Sequence, residues 1–543
     1  MKIVGKKTRR VDGLSLAKGK AVFADDMPKK DYLYAKILHS PIAHGKIVSI
    51  DKSKALALDG IEIILTHEDF TPHYFTTAGQ GYPEPSPRDT SMFNKTMRFV
   101  GDRVAVVAGE SLEVVEEALA LINVEYEELP TIFDMGDSID NDTVIHPGKD
   151  GFSFLHDASR NIAANISEEL GDVQKGFNDS DYVFEGTYFT PYAQQCSIEP
   201  HITLTWLDEN DRLIIRTATQ VPYHVRRVVA EILDIPVRKI RVIKPRIGGG
   251  FGGKQEILNE EVCSAVTLNT GKPCRLEYTR EEEFYAARSR HPQKVTYKIG
   301  LNKDLMMQSI DMEILQNCGG YGPHALTVMS VSASKTLALY RAPNVRIQAN
   351  AVYTNLPPAG AYRGYGAPQG YFALESLMDE IAEQLNVDPI ELRKKNYFRE
   401  GEDVPIAKVL GEGREGFPVI LQSNGIDACI DRGRELIDWD TLKNEKKSGI
   451  FRRGVGMATV AQASGIAGID MGSVFIKMNE DGSFNLNMGA TDLGTGSDTA
   501  LAQIAAEVLD VPVDKMIVIS SDTDTTPFDT GAYASSTTYV TGA

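Results

Sequence analysis

Apolar residues recur at the spacing of one helical face in two places. The first set is Val225, Val228, Val229, Ile232 and Leu233; the second is Leu501, Ile504, Ala505, Val508 and Leu509. Positions i, i+3, i+4, i+7 and i+8 share one side of an α-helix, so each set predicts an amphipathic helix packed on a core. The two helices belong to a longer internal repeat: residues 230–243 read AEILDIPVRKIRVI and residues 506–519 read AEVLDVPVDKMIVI. Pro236 and Pro512 are expected to end the helices, because proline lacks the N–H that continuation needs, and the β-branched residues after them predict a strand in each copy. A tight polar loop precedes each helix, at 217–220 and 489–496, with Thr219 and Thr495 in register. Helix N-termini behind such loops carry unpaired N–H groups. The pair therefore predicts either two related halves holding a long anionic ligand or a duplication kept for packing alone.

Elsewhere the pattern changes period. Val104 to Val107 predicts a short strand, Ser111 an N-cap, Leu112 to Leu121 a helix, and Val124 to Tyr126 a further strand. The acidic stretch Asp134 to Gly151, with its proline and glycine, predicts a linker and a domain boundary. Gly81 to Pro87, with three prolines, predicts an exposed loop.

With 543 residues the chain is expected to form two to four domains, and 42% hydrophobic content leaves room for a large core. A net charge of −18 argues against nucleic acid or an anionic membrane surface as partner. No apolar run has transmembrane length. The basic start Met1 to Arg10 is followed by Val11-Asp12-Gly13 instead of an apolar export segment, so a cytoplasmic location is expected. Five scattered cysteines (Cys196, Cys263, Cys274, Cys318, Cys429) without a C-x-x-C pair read as buried reduced thiols. Their spacing holds no iron–sulfur cluster, so any cluster must reside on a partner.

The densest chemical signal is the run Arg246-Ile247-Gly248-Gly249-Gly250-Phe251-Gly252-Gly253-Lys254-Gln255. Glycine at this density gives up packing in exchange for close approach of backbone to a bulky group. Read literally it satisfies G-x-G-x-x-G, but no acidic residue stands at the distance the ribose of a dinucleotide requires. It misses a P-loop at Gln255, where Ser or Thr would hold magnesium, although a phosphate-binding NTPase-like protein stays open as an alternative. A second loop, Ala361-Tyr362-Arg363-Gly364-Tyr365-Gly366, offers a guanidinium fork for phosphate or a pterin edge and an aromatic ring for a flat substrate.

These motifs taken together are recognisable. Arg10-Val11-Asp12-Gly13, Ile198-Glu199-Pro200, the glycine run, Arg288-Ser289-Arg290-His291-Pro292, the Arg363 loop and Thr526-Pro527-Phe528-Asp529 occur in an order that resembles the molybdenum-binding subunit of the xanthine dehydrogenase/aldehyde oxidase family. The resemblance implies a mixed α/β (α+β) chain. It would hold an α/β hammerhead-type domain (1–133), a first elongated molybdopterin-binding domain (134–405) and the N-terminal part of a second, internally related one (406–543). It implies a molybdenum–molybdopterin cofactor, expected as the cytosine dinucleotide. The residues that match cofactor contacts are Gln220, Gly250, Phe251, Gly252, Arg363, Ala534 and its neighbour Ser535, with Thr495 in the Gly-x-Gly slot that in the family more often holds glutamine. Of these, Gln220, Phe251, Arg363 and Ala534 would lie against the metal without ligating it through side chains.

The implied reaction is hydroxylation of an electron-poor carbon with oxygen from water, with electrons leaving through [2Fe-2S] and FAD centres on partner subunits. Gln255 and Tyr365 match substrate-contacting positions. Gln255 stands where xanthine enzymes carry glutamate, and the segment 326–337 lacks their purine-steering arginine, so the expected substrate is a purine-like or other N-heterocycle and not specifically xanthine. Aldehyde oxidation and reduction of an aromatic thioester are the alternatives within the family. The family's catalytic glutamate would lie beyond Ala543, so none is assigned. The chain alone is expected to be inactive, whether as a fragment, as a remnant or as a subunit completed by a separate chain.

Overall fold

A computed structural model describes residues 1–543 apart from 28–30, 80, 82, 150, 151, 413–415 and 446–448. Tyr82 of the predicted exposed loop and the last two residues of the predicted linker lie outside the described residues. The fold is mixed α/β, and three sheets position the site.

The seven-stranded sheet runs Ile240–Ile243, Leu213–Thr217, Ile202–Leu207, Cys274–Glu277, Leu33–His39, Arg103–Gly109, Ile61–Thr66. Val104 to Ala108 in its interior have no solvent exposure at all. A strand covered on both faces needs an unbroken apolar run, which is what V-A-V-V-A supplies. The helix Leu112–Leu121 follows as expected, with Ser111 extended (φ −142°) and its Oγ accepting from the Val114 N–H at 3.3 Å. Strand Leu33–His39 pairs antiparallel with Arg103–Gly109 and parallel with Cys274–Glu277. One sheet therefore joins strands from either side of the expected boundary at residue 133.

The five-stranded sheet runs Ile162–Leu170, Asn344–Tyr353, Met307–Gly319, Gln293–Leu301, Tyr182–Thr190. Met307–Gly319 and Asn344–Tyr353 are parallel and are joined through helix Ala325–Leu337, the crossover that parallel pairing demands. The largest apolar core gathers here, around Met312, Met329, Ile347, Leu374 and Met378. Each such side chain contributes about 1.5–3 kcal/mol by leaving water.

The third sheet, Val474–Met478, Phe484–Met488 and Met516–Ser520, carries helix Ser497–Leu509. Both repeat copies fold as helix, 3₁₀ turn and strand: Pro222–Ile232 with Ile240–Ile243, and Ser497–Leu509 with Met516–Ser520. The prolines do not end the helices. Each helix stops earlier, beside an aspartate in the left-handed region (Asp234, φ 50°; Asp510, φ 53°), and Pro236 and Pro512 lead into the 3₁₀ turns. The first helix buries Val225, Val228 and Val229. In the second, Leu501, Ala502 and Ala506 are buried while Val508 is 80% exposed, so the predicted face is only partly covered. All five cysteines are free, but only Cys263, Cys274 and Cys318 are buried. Cys196 and Cys429 are exposed, against expectation, because they sit in a left-handed loop residue and on an outer helix.

The N-terminal segment is tied to the second repeat helix. The Glu507 carboxylate accepts from the N–H groups of Lys2 (2.9 Å), Ile3 (2.5 Å) and Val4 (3.0 Å), which hold its pKa down at about 2. A lowered carboxylate pKa stabilises the attachment above the unfolded value of 4.5 and loses that effect as pH falls through about 2. Hydrogen exchange at Lys2 to Val4 is expected to stay slow at pH 6, to speed up on acidification from 4.5 toward 2, and to be fast at all pH values in Glu507→Ala. Exchange in the variant that matches wild type would refute the tether.

Candidate functional site

A cavity of 1560 Å³ lies where the two repeat loops, the glycine run and the Arg363 loop meet. Every residue singled out from the sequence lines it: Gln220, Gly250, Phe251, Gly252, Gln255, Arg363, Tyr365, Thr495, Ala534 and Ser535.

Gln220 is the junction. Its Oε1 accepts from the Gly252 N–H at 2.9 Å and its Nε2 donates to the Ala532 carbonyl at 2.6 Å. Its backbone N–H reaches the Lys254 carbonyl (2.8 Å) and its carbonyl accepts from the Ala532 N–H (3.0 Å). Four bonds from one buried residue thus fix the glycine run against the loop that carries Ala534 and Ser535. The glycines are required by this approach. A Cβ on Gly250 would stand 2.6 Å from Gln220 Oε1, and one on Gly252 (φ 100°) would stand 2.7 Å from the Ala361 carbonyl. Phe251 lies between them at φ 54°, about half exposed, with its ring folded back over Gly249. The Arg363 N–H donates to the Phe251 carbonyl at 2.9 Å and joins the second loop to the first. Arg290 supports that loop from beneath, donating to the Arg363 carbonyl at 2.8 Å with its guanidinium 3.9 Å from the Tyr362 ring centre. Tyr365 (φ 49°), Ala534 (φ 49°) and Ser535 (φ 55°) also hold left-handed backbone, a conformation that costs non-glycine residues about 1–3 kcal/mol and clusters at binding sites.

Two expectations fail here. Each repeat helix already has part of its N-terminal N–H set taken up within the chain. At the first, Thr219 Oγ1 takes the Val221 N–H (3.1 Å) and Pro222 has none to offer. At the second, the buried Asp492 carboxylate accepts from Gly494 (2.8 Å), Gly496 (3.2 Å) and Asp498 (3.1 Å). The two threonines in register are not equivalent, since Thr219 is buried and Thr495 exposed. The NTPase-like reading falls as well. Lys254, the residue that would reach a phosphate, is buried and bonded to Glu199 Oε2 at 2.8 Å, and the run leads only into a three-residue 3₁₀ turn.

The residues under the glycine run were not singled out from the sequence. Glu199 Oε2 accepts from the Gly248 N–H (2.8 Å) as well as from Lys254. Burial lowers the Lys254 pKa, with Glu199 opposing it. His201 donates Nε2–H to the Gly253 carbonyl (3.0 Å) and bonds Glu283 through Nδ1 (2.8 Å). Burial would pull its pKa down, but the Glu283 carboxylate outweighs this and raises it. Glu199 lies in the Ile198-Glu199-Pro200 motif, which was the one available signal. His201 and Glu283 become partners only through folding. At the far end of the cavity Arg10, Arg216, Lys244 and Arg246 supply positive charge, partly answered by Asp12 and Asp498. Among the described residues no three His, Cys, Asp or Glu side chains converge on a metal position. What the cavity offers instead is a cradle of backbone and amide groups from which Cβ atoms are excluded, a fit for a large flat group with an anionic tail.

Comparison with known proteins gives this cradle a context. Sequence models described as molybdopterin cofactor-binding domains match residues 155–397 and 432–543. One described as the a/b hammerhead domain of aldehyde oxidase and xanthine dehydrogenase matches 18–130. The expected order of one hammerhead domain and two cofactor-binding domains is therefore met. A probable hypoxanthine oxidase of Escherichia coli O157:H7 is 41% identical over 570 residues, covering 100% of this chain and 59% of that protein. A putative xanthine dehydrogenase molybdenum-binding subunit of E. coli K12 is 37% identical over 542 residues (98% and 69%). The nicotinate dehydrogenase large molybdopterin subunit of Eubacterium barkeri is 34% identical over 409 residues (75% and 92%). The chain thus spans about three fifths of the first of these relatives. Among solved structures, quinoline 2-oxidoreductase from Pseudomonas putida 86 superposes with a TM-score of 0.83 at 26% identity, over 98% of this chain and 68% of that one. The aldehyde oxidoreductase of Desulfovibrio gigas shares the fold, with a TM-score of 0.86 at 24% identity over 99% of this chain and 58% of that one.

Gly252→Ala is expected to push back the Ala361–Arg363 backbone and to lower stability by about 2 kcal/mol, from strain at positive φ plus the clash. Gly433→Ala, on an open helix face with nothing within 4 Å, is the control and should raise stability by about 0.5–1 kcal/mol. Urea denaturation of both reads the difference, and equal effects would remove the case for a glycine-dependent cradle.

Proposed function

Since the chain belongs to the xanthine dehydrogenase/aldehyde oxidase family, we propose that it is the molybdopterin-binding subunit of a molybdenum hydroxylase acting on a purine-like or other flat N-heterocycle. The observation that carries this reading is the convergence on one cavity of two glycine loops, the Gln220 junction and the Arg363 loop. Gln220, Gly250, Phe251, Gly252 and Arg363 would hold the pterin and metal end from the first cofactor-binding domain, and Thr495, Ala534 and Ser535 from the second. The cofactor supplies two-electron oxidation with an oxygen from water. The chain's own work is then to bind and orient. Gln220 presents an amide fixed at both ends, Phe251 screens the cradle with an aromatic ring, and Arg216, Lys244 and Arg246 offer charge to phosphates of the dinucleotide form.

Gln255 and Tyr365 line the substrate end, and from helix Ala325–Leu337 the residue that reaches the cavity is Val331, an uncharged side chain. Relatives at 26–41% identity are named for hypoxanthine, nicotinate and quinoline, and this favours a heterocycle over an aldehyde or a thioester. The assembly we infer includes iron–sulfur and FAD subunits in the cytoplasm.

The test is to isolate the chain with its partner subunits, measure molybdenum by mass spectrometry and release the nucleotide with acid. Near-stoichiometric molybdenum and cytidine monophosphate are expected, with molybdenum reduced several-fold in Gln220→Ala and Arg363→Ala. Turnover is expected on at least one of hypoxanthine, nicotinate and quinoline. A preparation without molybdenum that binds nucleotide in the presence of magnesium would overturn the reading, and oxidation of benzaldehyde alone would overturn the substrate class.

A further inference from the structure

The segment ahead of strand Leu33–His39 runs along the charged end of the cavity and is fixed at two places on opposite walls. Its opening residues lie on helix Ser497–Leu509. Glu507 takes the N–H groups of Lys2, Ile3 and Val4, and Gln503 Nε2 reaches the Ile3 and Lys6 carbonyls (3.3 and 3.2 Å) and Thr8 Oγ1 (3.1 Å). The second anchor belongs to the first repeat copy's side. There Ala24 is fully buried among Ile202, Leu204, Ala218 and Ile247, Phe23 forms a parallel bridge with Arg246, and Asp25 accepts from Arg275 Nη2 at 2.6 Å.

Between the anchors the chain is loose. No residue from 9 to 22 is buried, and the backbone hydrogen bonds donated by residues 13–20 close within the segment itself. Leu16 and Val22 line the cavity yet stay exposed. A stretch with so few buried contacts has the low local stability of elements that open without global unfolding. Three contacts hold it down. The Val11 N–H donates to Thr499 Oγ1 (3.1 Å), Arg10 Nη1 donates to the Gly494 carbonyl (3.1 Å), and Asp12 pairs with Arg246. Asp12 also accepts from Arg10 Nε (2.9 Å) and Nη2 (3.1 Å). The line Gly494, Arg10, Asp12, Arg246 therefore crosses from one repeat half to the other. Donors are left over at this end: the Nε atoms of Arg216 and Arg246 are buried without a hydrogen-bond partner among the described residues, and both arginines line the cavity.

We propose that residues 9–22 are a strap that closes the charged end of the cavity over an anionic ligand, and that the ligand leaves when the strap lifts from Gly494, Thr499 and Arg246. The ligand class is the phosphate-bearing tail of the cofactor, so the inference rests on the reading above. A ligand biases such an equilibrium only through contacts that differ between the two states. Arg10 supplies the difference. It rides on the strap, lines the cavity, and keeps N–H groups beyond those given to Asp12 and Gly494. Closing brings this charge to an anion and lifting takes it away, so a bound anion draws the strap shut and slows its own escape. Releasing an anchor acts the other way, because the lifted strap then gains conformational freedom.

Hydrogen exchange is measured first, on the complex isolated with and without its cofactor. The amides of residues 13–20 should exchange roughly tenfold more slowly in the loaded complex. Equal exchange in the two overturns the proposal. The second readout is retention. Loaded complex is passed into cofactor-free buffer, and the molybdenum that stays with the protein is followed over time by mass spectrometry. Glu507→Ala, which frees the first anchor and touches nothing in the cavity, should shorten the half-life roughly tenfold, and Gln503→Ala should act in the same direction. Lys2→Ala loses only the exposed pair with Asp510 and should match wild type. If Glu507→Ala does not fold, Gln503→Ala alone decides. Full loading with a half-life indifferent to both anchors sinks the strap and leaves the cofactor reading standing. No molybdenum in any preparation sinks the cofactor reading and the strap with it.

Discussion

The site depends on one amide. Gln220 bridges the Gly252 N–H and the Ala532 carbonyl, which lie on segments almost three hundred residues apart in the chain. Amide bridges of this kind are individually modest, of order 1 kcal/mol net. What matters is their direction. Because Oε1 and Nε2 are both committed, the side chain has a single orientation, and the glycine run is drawn close enough that no Cβ fits at 250, while at 252 the Ala361 carbonyl excludes one. The cradle is therefore a consequence of backbone proximity, and proximity is enforced by the glutamine. The arginine loop is third in this order, because it docks on the Phe251 carbonyl that the first two elements have already placed.

Charge beneath the cradle is arranged so that the backbone does not have to move. Glu199 and Glu283 neutralise Lys254 and His201 at hydrogen-bond distance, and two of these four side chains, Glu199 and His201, hold the Gly248 N–H and the Gly253 carbonyl. Removing one member would leave a buried charge without its partner, a far larger loss than the pair's own net contribution. Such a base suits a site meant to receive a bulky group, because Lys254, His201 and Glu283 lie behind the glycine backbone and of the four only Glu199 also lines the cavity.

Local elements were legible in the sequence, and long-range ones were not. Ser111 and the helix after it, the V-A-V-V-A strand, and the residues of both glycine-rich loops follow from capping, periodicity and backbone freedom, all of which act within a few residues. The helix ends were misplaced because Asp234 and Asp510 adopt left-handed backbone, an option that aspartate tolerates and that comes into play before the proline does. The sheet joining Leu33–His39 to Cys274–Glu277 has no local signature, since both strands mix apolar with polar residues as many others do. The partnership of Glu199 with Lys254 lies hidden for the same reason: charged residues are common, and which of them meet in a buried layer is decided by topology.

The repeat shows how far one sequence pattern can diverge in context. Both copies share the helix, the left-handed aspartate, the proline and the following strand, yet the loop before the first helix is consumed by Lys254 and Thr219 while the loop before the second is organised by Asp492. A ligand lying between them therefore meets two unlike walls: one of glycine backbone tied to a glutamine, the other of loop residues around a buried carboxylate. An anion would be repelled by Asp492 unless the N–H groups of 494, 496 and 498 stayed bonded to it. The positive end of the second helix is thus already answered from within, and positive charge in the cavity comes from Arg216, Lys244 and Arg246 on the first copy's side and from Arg10, which reaches the Gly494 carbonyl. Duplication supplied the scaffold twice, but the chemistry of the cavity comes from the places where the copies differ.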